Sequence, residues 1–584
     1  MEGRLPSFSL LILILVLLCP GCSSKPSSQS QSQNESPVTN TGSTVETIAT
    51  PVMKSGPIQF TDVISDSGIA FRHFSGATAE KPVPTANGSG MAIIDFDGDG
   101  LMDLYFAQST RLPVDPRAGQ TGKLYRNIGQ MKFTDVTEKS GLGGQTFFTH
   151  GAIAADIDND GDTDLYLCNF GRNALFQNNG DGTFTDKSSG SAADIEGWSS
   201  SAAFLDYDGD GLLDLYVSTY ADWKYPQDNK FCGDRDKNVR LYCDPKELRP
   251  ARDYLFRNLG RLQFTDVTEK AGILRQDGHG FGVIAADFNA DQRTDIYVAN
   301  DQDPNFLFLN RGQARFDDVT AFAGASLDAR GHAQAGMGLD AEDIDGDGLP
   351  EIIVTNFASE PNTLYKNLGQ GLFMDTTSAS GLLAPSLPYV GWGATFTDFD
   401  LDGWPDLFVA NGHLDDNRHE LGENAPQPQP ALLFQNKTGG KFQDISRLSG
   451  PYFQTNHVGR GVGWGDLDND GDTDLVISHK DGAPAILRND SPRSGHHWVR
   501  LRLQGTTSNR DAIGARVEIN CGNRTITRIR KGGCGLMSTH DPRLTIGLGN
   551  ASELKSIKVY WPSGKESEIQ NQKTEMEILI TEPL

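Results

Sequence analysis

Short apolar runs separated by polar turns rich in Gly, Asn and Asp recur along most of the chain. One stretch carries four of them in succession: Gly151 to Ala155, Leu165 to Cys168, Ala174 to Gln177 and Thr183 to Thr185. Runs this short, bounded by turn residues, predict strands. An α-solenoid needs two amphipathic helices per unit, and the density of glycine leaves no room for them. Four strands in each unit of ~50 residues predict the blade of a β-propeller.

The unit repeats. An acidic nonapeptide occurs at Asp95 to Asp103, Asp156 to Asp164, Asp206 to Asp214, Asp287 to Asp295, Asp343 to Glu351, Asp398 to Asp406 and Asp466 to Asp474, at spacings of 61, 50, 81, 56, 55 and 68 residues. In step with it run strands ending in Asn127, Asn178, Asn258, Asn310, Asn367, Asn436 and Asn489. A third series, Phe-x-Asp, begins at Phe60, Phe133, Phe184, Phe264, Phe316, Phe373 and Phe442. Three series of seven predict a seven-bladed, all-β propeller. Phe60 precedes the first acidic loop and nothing equivalent follows Asn489, so the outer strand of the last blade is expected from Phe60 to Val63. That strand would latch the ring and remove an open sheet edge.

The loop pattern Asp-x-Asp-x-Asp-Gly-x-x-Asp offers side-chain oxygens at positions 1, 3, 5 and 9 and a glycine where the chain turns. A hard cation of calcium's size takes six to eight oxygen ligands, and carboxylates so closely packed repel without one. The expected Ca2+ ligands are Asp95, Asp97, Asp99 and Asp103; Asp156, Asp158, Asp160 and Asp164; Asp206, Asp208, Asp210 and Asp214; Asp287, Asn289, Asp291 and Asp295; Asp343, Asp345, Asp347 and Glu351; Asp398, Asp400, Asp402 and Asp406; and Asp466, Asp468, Asp470 and Asp474. An EF-hand is excluded, because no helix follows and the ninth position, not the twelfth, closes the loop. The fourth loop should be the weakest, with Asn289 at position 3 and Gln292 in place of glycine.

Charge agrees with this reading. The chain carries 51 basic and 77 acidic residues, a net −26, which excludes nucleic acid as a partner. Leu10 to Leu18, preceded by Arg4, is too short to span a bilayer and fits the core of a secretory signal. Leu18-Cys19-Pro20-Gly21-Cys22-Ser23 resembles a bacterial lipobox, with Cys22 as the lipidated residue. Domain limits follow: 1–22 signal, 23–56 polar tether, 57–490 propeller, 494–584 a C-terminal module. The protein is expected to be exported and lipid-anchored to the cell envelope, touching membrane only through that lipid. In an oxidising compartment, Cys232 with Cys243 and Cys521 with Cys534 are expected as short-loop disulfides. Cys168, in an apolar strand, reads as a small buried hydrophobe.

With their Leu-Tyr-Arg-Asn and Phe-Thr-Asp-Val companions, the loops resemble the FG-GAP/VCBS propeller repeat from about Gln59 to Asp490. The last segment resembles the ASPIC/UnbV domain through Asn509 to Arg516, Asp541-Pro542-Arg543, Gly547-Leu548-Gly549 and Trp561-Pro562-Ser563-Gly564. Cys534, in a stretch usually of plain glycine, departs from that pattern. Read by itself, this segment alternates as a small β-sandwich does and is expected to pack on the propeller rim. The resemblance implies that ligands engage the face opposite the calcium loops.

On that face the longest insertions are Thr219 to Ala251 in blade 3, His413 to Pro430 in blade 6 and Ser109 to Gly122 in blade 1. Long loops on a rigid scaffold commonly carry recognition. Gln108, Asn169, Thr219, Asn300, Asn356, Asn411 and His479 stand at one level and either bind sugar hydroxyls or cap turns. The expected function is binding, adhesion or scaffolding toward a polysaccharide or protein. The alternative is a lyase-like, polysaccharide-active enzyme recruiting His279, His413 or Tyr220. No catalytic residue is assigned, since the clustered carboxylates are committed to metal.

Overall fold

The computed structural model describes residues 56–144 and 146–584. The expected signal segment 1–22 with Cys22, and the tether up to residue 55, lie outside the described residues. Among the described residues no helix is long and apolar enough to cross a membrane.

The chain is all-β. Each repeat folds as a four-stranded antiparallel meander; in the first, Met91–Ile94, Asp103–Phe106, Lys123–Asn127 and Phe133–Asp135 pair in chain order. Five more meanders repeat this order, with inner strands Thr149–Ala155, Glu196–Leu205, Gly280–Ala286, Leu339–Glu342 and Gly391–Thr397. The last, Gly459–Gly465, Asp474–His479 and Ala485–Asn489, takes its outer strand from Phe60–Asp62, with Phe60 opposite Asn489 and Asp62 opposite Leu487. The expected latch is therefore present.

The inner strands adjoin in cyclic order, the last beside the first. Apolar residues collect between neighbours, not within one sheet: Ile94 and Leu124 pack with Leu165 and Leu167, and Val476 and Ile486 of the last meander pack with Ile93 and Phe106 of the first. A meander therefore has no core of its own. This follows from sheets whose two faces are both apolar.

The asparagine ending each third strand shows how neighbours are joined. Asn127 Nδ2 donates to the carbonyl of Met102 in its own loop, at 3.0 Å, and to that of Leu467 in the last meander, at 2.8 Å. Asn178 reaches Phe96, Asn258 reaches Ile157, Asn310 reaches Tyr207, Asn367 reaches Phe288, Asn436 reaches Ile344 and Asn489 reaches Phe399. In every case the acceptor is position 2 of the preceding acidic loop. Asn310→Ala removes the donor to two buried carbonyls, Tyr207 and Thr294, and is expected to cost about 2–4 kcal/mol in urea unfolding. The adjacent exposed change Arg311→Ala should stay within about 0.5 kcal/mol; equal effects would show the staple to be idle.

Residues 497–581 form two further sheets around one core. One contains Leu544–Gly549, His497–Gln504 and Glu577–Thr581, and the other Thr525–Ile529, Arg516–Asn520, Glu553–Tyr560 and Glu566–Lys573. Val499, Leu501, Val517, Ile546, Ile557 and Trp561 fill the space between them.

Candidate metal centres and the sealed axis

The acidic loops are built alike. Positions 4 and 6 take left-handed backbone, at Gly98 and Gly100 in the first and at Ala290 and Gln292 in the fourth, where a side chain costs about 1–2 kcal/mol. Asp95 Oδ2 accepts the Gly100 N–H at 3.0 Å, wrapping the loop around its first carboxylate. The closing acid ties the loop to the sheet: Asp103 accepts the N–H of Phe96 at 3.1 Å and of Asn127 at 2.7 Å. Asp164, Asp214, Asp295, Asp406 and Asp474 repeat this pair. Glu351 makes the same two bonds with its longer arm, from Ile344 and Asn367.

Ligand atoms converge within 4.8 Å in Asp95, Asp97 and Asp99; Asp156, Asp158 and Asp160; Asp206, Asp208 and Asp210; Asp343, Asp345 and Asp347; and Asp398, Asp400 and Asp406. Buried Oδ1 atoms of Asp95, Asp97, Asp158, Asp208, Asp398, Asp400 and Asp468 have no hydrogen-bond partner. An ionised carboxylate only accepts, so these oxygens need a donor or a cation. Hard oxygen donors at this spacing fit Ca2+. In the fourth loop Asp287 accepts the N–H of Asn289, Asp291 and Gln292, and Arg293 pairs with Asp291. None of the ligand atoms of this loop, nor of the fifth, is an orphan among the described residues. Burial pushes Asp103 and Asp164 up to about 8 and Glu351 to about 9, with neighbouring carboxylates adding to the rise.

Sequence reasoning missed a basic or amide residue one place before the staple asparagine. Arg126 reaches Asp97 at 2.5 Å and Asp99 at 2.8 Å, Arg257 reaches Asp208 and Asp210, Lys366 reaches Asp345 and Asp347, and Gln177 reaches Asp158. The signal was present in the repeated third strands, at a fixed offset from Asn.

The C-terminal module does not pack on the rim. It covers the acidic-loop face, and residues 530–541 enter the axis. Arg500 pairs with Asp466, Arg510 lies 3.6 Å from Asp156, and Asp511 accepts the Asp156 N–H at 2.9 Å. Arg524 and Arg528 donate to the carbonyls of Asp402 and Gly403, and Arg543 to that of Asp466. The motif around Asn509 to Arg516 and the Asp541-Pro542-Arg543 triplet are thus docking elements. Within the axis the inserted chain pairs with several inner strands: Ala285 N–H donates to Gly532, Leu339 to Gly535, Ala152 to Met537 and Ile93 to Thr539. Lys531 Nζ donates to Asp340 at 2.8 Å, and His540 stacks on Trp464. Small inner-strand residues are required as expected, partly because of this insertion: a Cβ on Gly90 would strike the Met537 carbonyl.

Cys521 and Cys534 are free, correcting the expected disulfide. Cys534 is drawn into the axial core beside Leu339 and Ile284, while Cys521 stays at the module's surface beside Arg524. Cys232 and Cys243 are bonded. Cys168 is buried, and burial pushes its thiol well up.

On the opposite face the insertions meet over the axis. Lys81 pairs with Asp416 and sits over the Tyr242 ring, Thr85 Oγ1 lies 3.1 Å from Tyr242 Oη, and Asp415 accepts the Tyr242 N–H at 3.0 Å. A strap around 80–87, the disulfide-bonded insertion and the 413–430 insertion therefore form one cap. Beneath it Arg460 is buried, stacked on Trp392 and donating to the carbonyls of Ala86, Gly412, His413 and Gly459. The amide level serves turns: Asn169, Asn300, Asn356 and Asn411 donate to the carbonyls of Arg172, Pro304, Pro361 and Pro430. Of the three residues considered for catalysis, Tyr220 and His279 adjoin at 5.5 Å between rings, bonded to Asp301 and Asp303, while His413 packs against Phe357.

Burial holds His150 and His413 down to about 4, with Arg418 and Arg460 adding to the effect at His413. Both are neutral when folded and titrate near 6.5 when unfolded, so the unfolded chain binds more protons below pH ~6.5. Stability should be full above that pH and fall as pH drops toward ~4, by at most about 3 kcal/mol per histidine. Thermal melts in calcium across this range, with proton uptake measured on unfolding, check it; a flat profile would refute the assignment.

Comparison with known proteins agrees with the geometry. The FG-GAP-like repeat matches residues 95–167, 156–217, 287–354 and 343–409, and the ASPIC and UnbV family matches 505–584. Human cartilage acidic protein 1 is 26% identical over 514 residues, covering 82% of this chain and 70% of that protein, and the mouse protein is 26% identical over 516 residues, 82% and 71%. Among solved structures, an Agrocybe aegerita lectin recognising non-reducing terminal N-acetylglucosamine is 17% identical, covering 69% of this chain and 90% of its own, with a TM-score of 0.34. A Bacillus licheniformis rhamnogalacturonan lyase is 13% identical, covering 82% and 80%, with a TM-score of 0.29. The chain is thus an FG-GAP-repeat protein with a C-terminal ASPIC and UnbV domain, similar over most of its length to cartilage acidic protein 1.

Proposed function

We propose that this protein is a calcium-stabilised binding or scaffolding protein of the bacterial cell envelope, held by a lipid on Cys22, that presents the capped face to a polysaccharide or protein. One observation carries the reading: the C-terminal module occupies the acidic-loop face and the axis, through Arg500, Arg510 and residues 530–541. The face built from insertions remains for a partner. Those insertions are fixed to one another and to a rigid ring, so a partner meets a preorganised surface.

The test is a glycan array and a pull-down from envelope extract with the calcium-loaded full chain. Reversing the exposed charges Lys224, Arg235 and Lys237 of the disulfide-bonded insertion should weaken capture at least about tenfold, a change of about 1.4 kcal/mol. The same reversal at Lys187, Lys441 and Lys573 should not. Equal capture by both variants would sink the reading. Glycan cleavage abolished by His279→Ala would replace it with the lyase alternative.

A further inference from the structure

Between the cap and the ring lies a cavity of about 170 Å³. Its inner wall is a run of aromatic rings, with Tyr220 5.3 Å from Phe281 and Phe281 5.9 Å from Trp392. These three are almost wholly buried, whereas Gln302 and Arg418 on the same cavity are partly exposed and Asp244 is exposed, so they form its mouth. The space has an apolar floor and a polar entrance. An apolar cavity of about 150 Å³ accommodates benzene, so this one has room for a single six-membered ring.

The polar atoms on the cavity narrow the chemistry. Asn87 Nδ2 is buried, with the residue 4% exposed, and has no hydrogen-bond partner. Leaving such a donor unpaired costs about 1–3 kcal/mol, and only an acceptor removes that cost. Arg418, at the mouth, is already held in ion pairs with Asp415 and Glu423. The unpaired Asn87 donor calls for a ligand oxygen, which a quaternary ammonium ion lacks. Asp244, Asp301 and Asp415 stand on the cavity against the single guanidinium of Arg418. Acidic side chains outnumber the one guanidinium on this lining even with Asp301 pushed up to about 7 by burial, which disfavours a ligand bearing its own carboxylate. Hydroxyl groups both accept and donate, and the C–H face of a pyranose lies flat on an aromatic ring.

We infer that this cavity binds one neutral pyranose ring, packed against the Tyr220, Phe281 and Trp392 rings, which meet edge to face, and hydrogen-bonded by Asn87. The inference rests on the proposed binding function and names its ligand class. A cavity closed at its floor and open on one side accepts a ring at the end of a glycan, so the polymer is held by its terminus. Ala335 also lines the space, and Ala335→Leu fills it.

The experiment uses the calcium-loaded full chain with methyl glucoside, methyl galactoside, methyl mannoside and N-acetylglucosamine, followed by saturation-transfer NMR and titration calorimetry. At least one should bind below about 10 mM, tenfold above a 1 mM dissociation constant. Ala335→Leu and Asn87→Leu should each weaken it about tenfold while leaving the melting temperature near that of the wild type. The inference is overturned if no neutral pyranoside binds, if glucuronate or tetramethylammonium binds better, or if Ala335→Leu leaves the affinity unchanged. Glycan polymer captured equally by wild type and Ala335→Leu overturns the cavity but leaves the capped face as the binding surface. Capture lost only on reversal of the insertion charges separates the two in the same way.

Discussion

With six loops holding calcium as proposed, its removal is expected to lower the melting temperature by about 15 °C at neutral pH, each loop contributing about 2.7 kcal/mol at a hundredfold excess over Kd against an unfolding entropy of about 2.1 cal/mol/K per residue. The physical origin is the set of buried carboxylate oxygens without partners, on Asp95, Asp97, Asp158, Asp208, Asp398, Asp400 and Asp468. Without an ion, these oxygens stay buried with no partner inside a wall of the ring. The loops also anchor the ring, because the carbonyl at position 2 of each receives the neighbouring staple asparagine. Loosening a loop therefore loosens two meanders.

The pH dependence separates this account from simple acidity. In the metal-free protein burial raises Asp103 and Asp164 to about 8, against 3.8 when unfolded. Above pH ~4 the unfolded chain releases these protons while the folded chain keeps them, so metal-free stability falls as pH rises from ~4 through ~8. Calcium, bound as proposed, is expected to replace those protons and restore stability. Its effect on the melting temperature should thus be largest at neutral and alkaline pH and nearly vanish near pH 4. Differential scanning calorimetry with calcium and with EGTA, at several pH values, reads this directly. A melting curve unchanged by EGTA at pH 7.5 would refute the structural role of the ions.

A chain ending at Asp490 should fail to form a stable ring. The inserted segment buries Leu536 and Met537 completely, and losing a buried residue of that size costs about 2–5 kcal/mol. It also satisfies N–H groups of Ile93, Ala152, Ala285 and Leu339 on four inner strands. Truncation leaves them facing an empty axis, each at about 1–3 kcal/mol. The sum, about 8–22 kcal/mol, matches or exceeds the stability of an ordinary domain, about 5–15 kcal/mol. The truncated chain should elute as aggregate or lack a cooperative melt. A milder variant isolates the axial contact: Met537→Ala, with the module intact, should lower stability by about 2–5 kcal/mol. A soluble, cooperatively melting truncation at wild-type temperature would show that the insertion is a passenger.

Much of this molecule was legible from local pattern. The nine-residue loop specifies its own turns, and its closing acid finds partners within the same meander, so the repeat count, the strand order and the latch at Phe60 could be read from spacing. The asparagine series was visible too, though not its purpose: each Asn bonds a carbonyl of the neighbouring meander, and only the closed ring makes that neighbour known. The long insertions were placed on the correct face, but their mutual packing through Lys81, Tyr242 and Asp415 was not foreseen.

What tertiary structure alone decided are contacts between segments hundreds of residues apart. Met537 meets Gly90 and Lys531 meets Asp340 through geometry that leaves no periodicity in either segment. Cys521 and Cys534 are close in sequence, and proximity along the chain suggested a bond. The ring then claimed Cys534 for its axial core and left Cys521 outside. A sequence records how each strand and turn satisfies its own backbone; which buried surface a distant loop completes is settled only when the ring has closed around it.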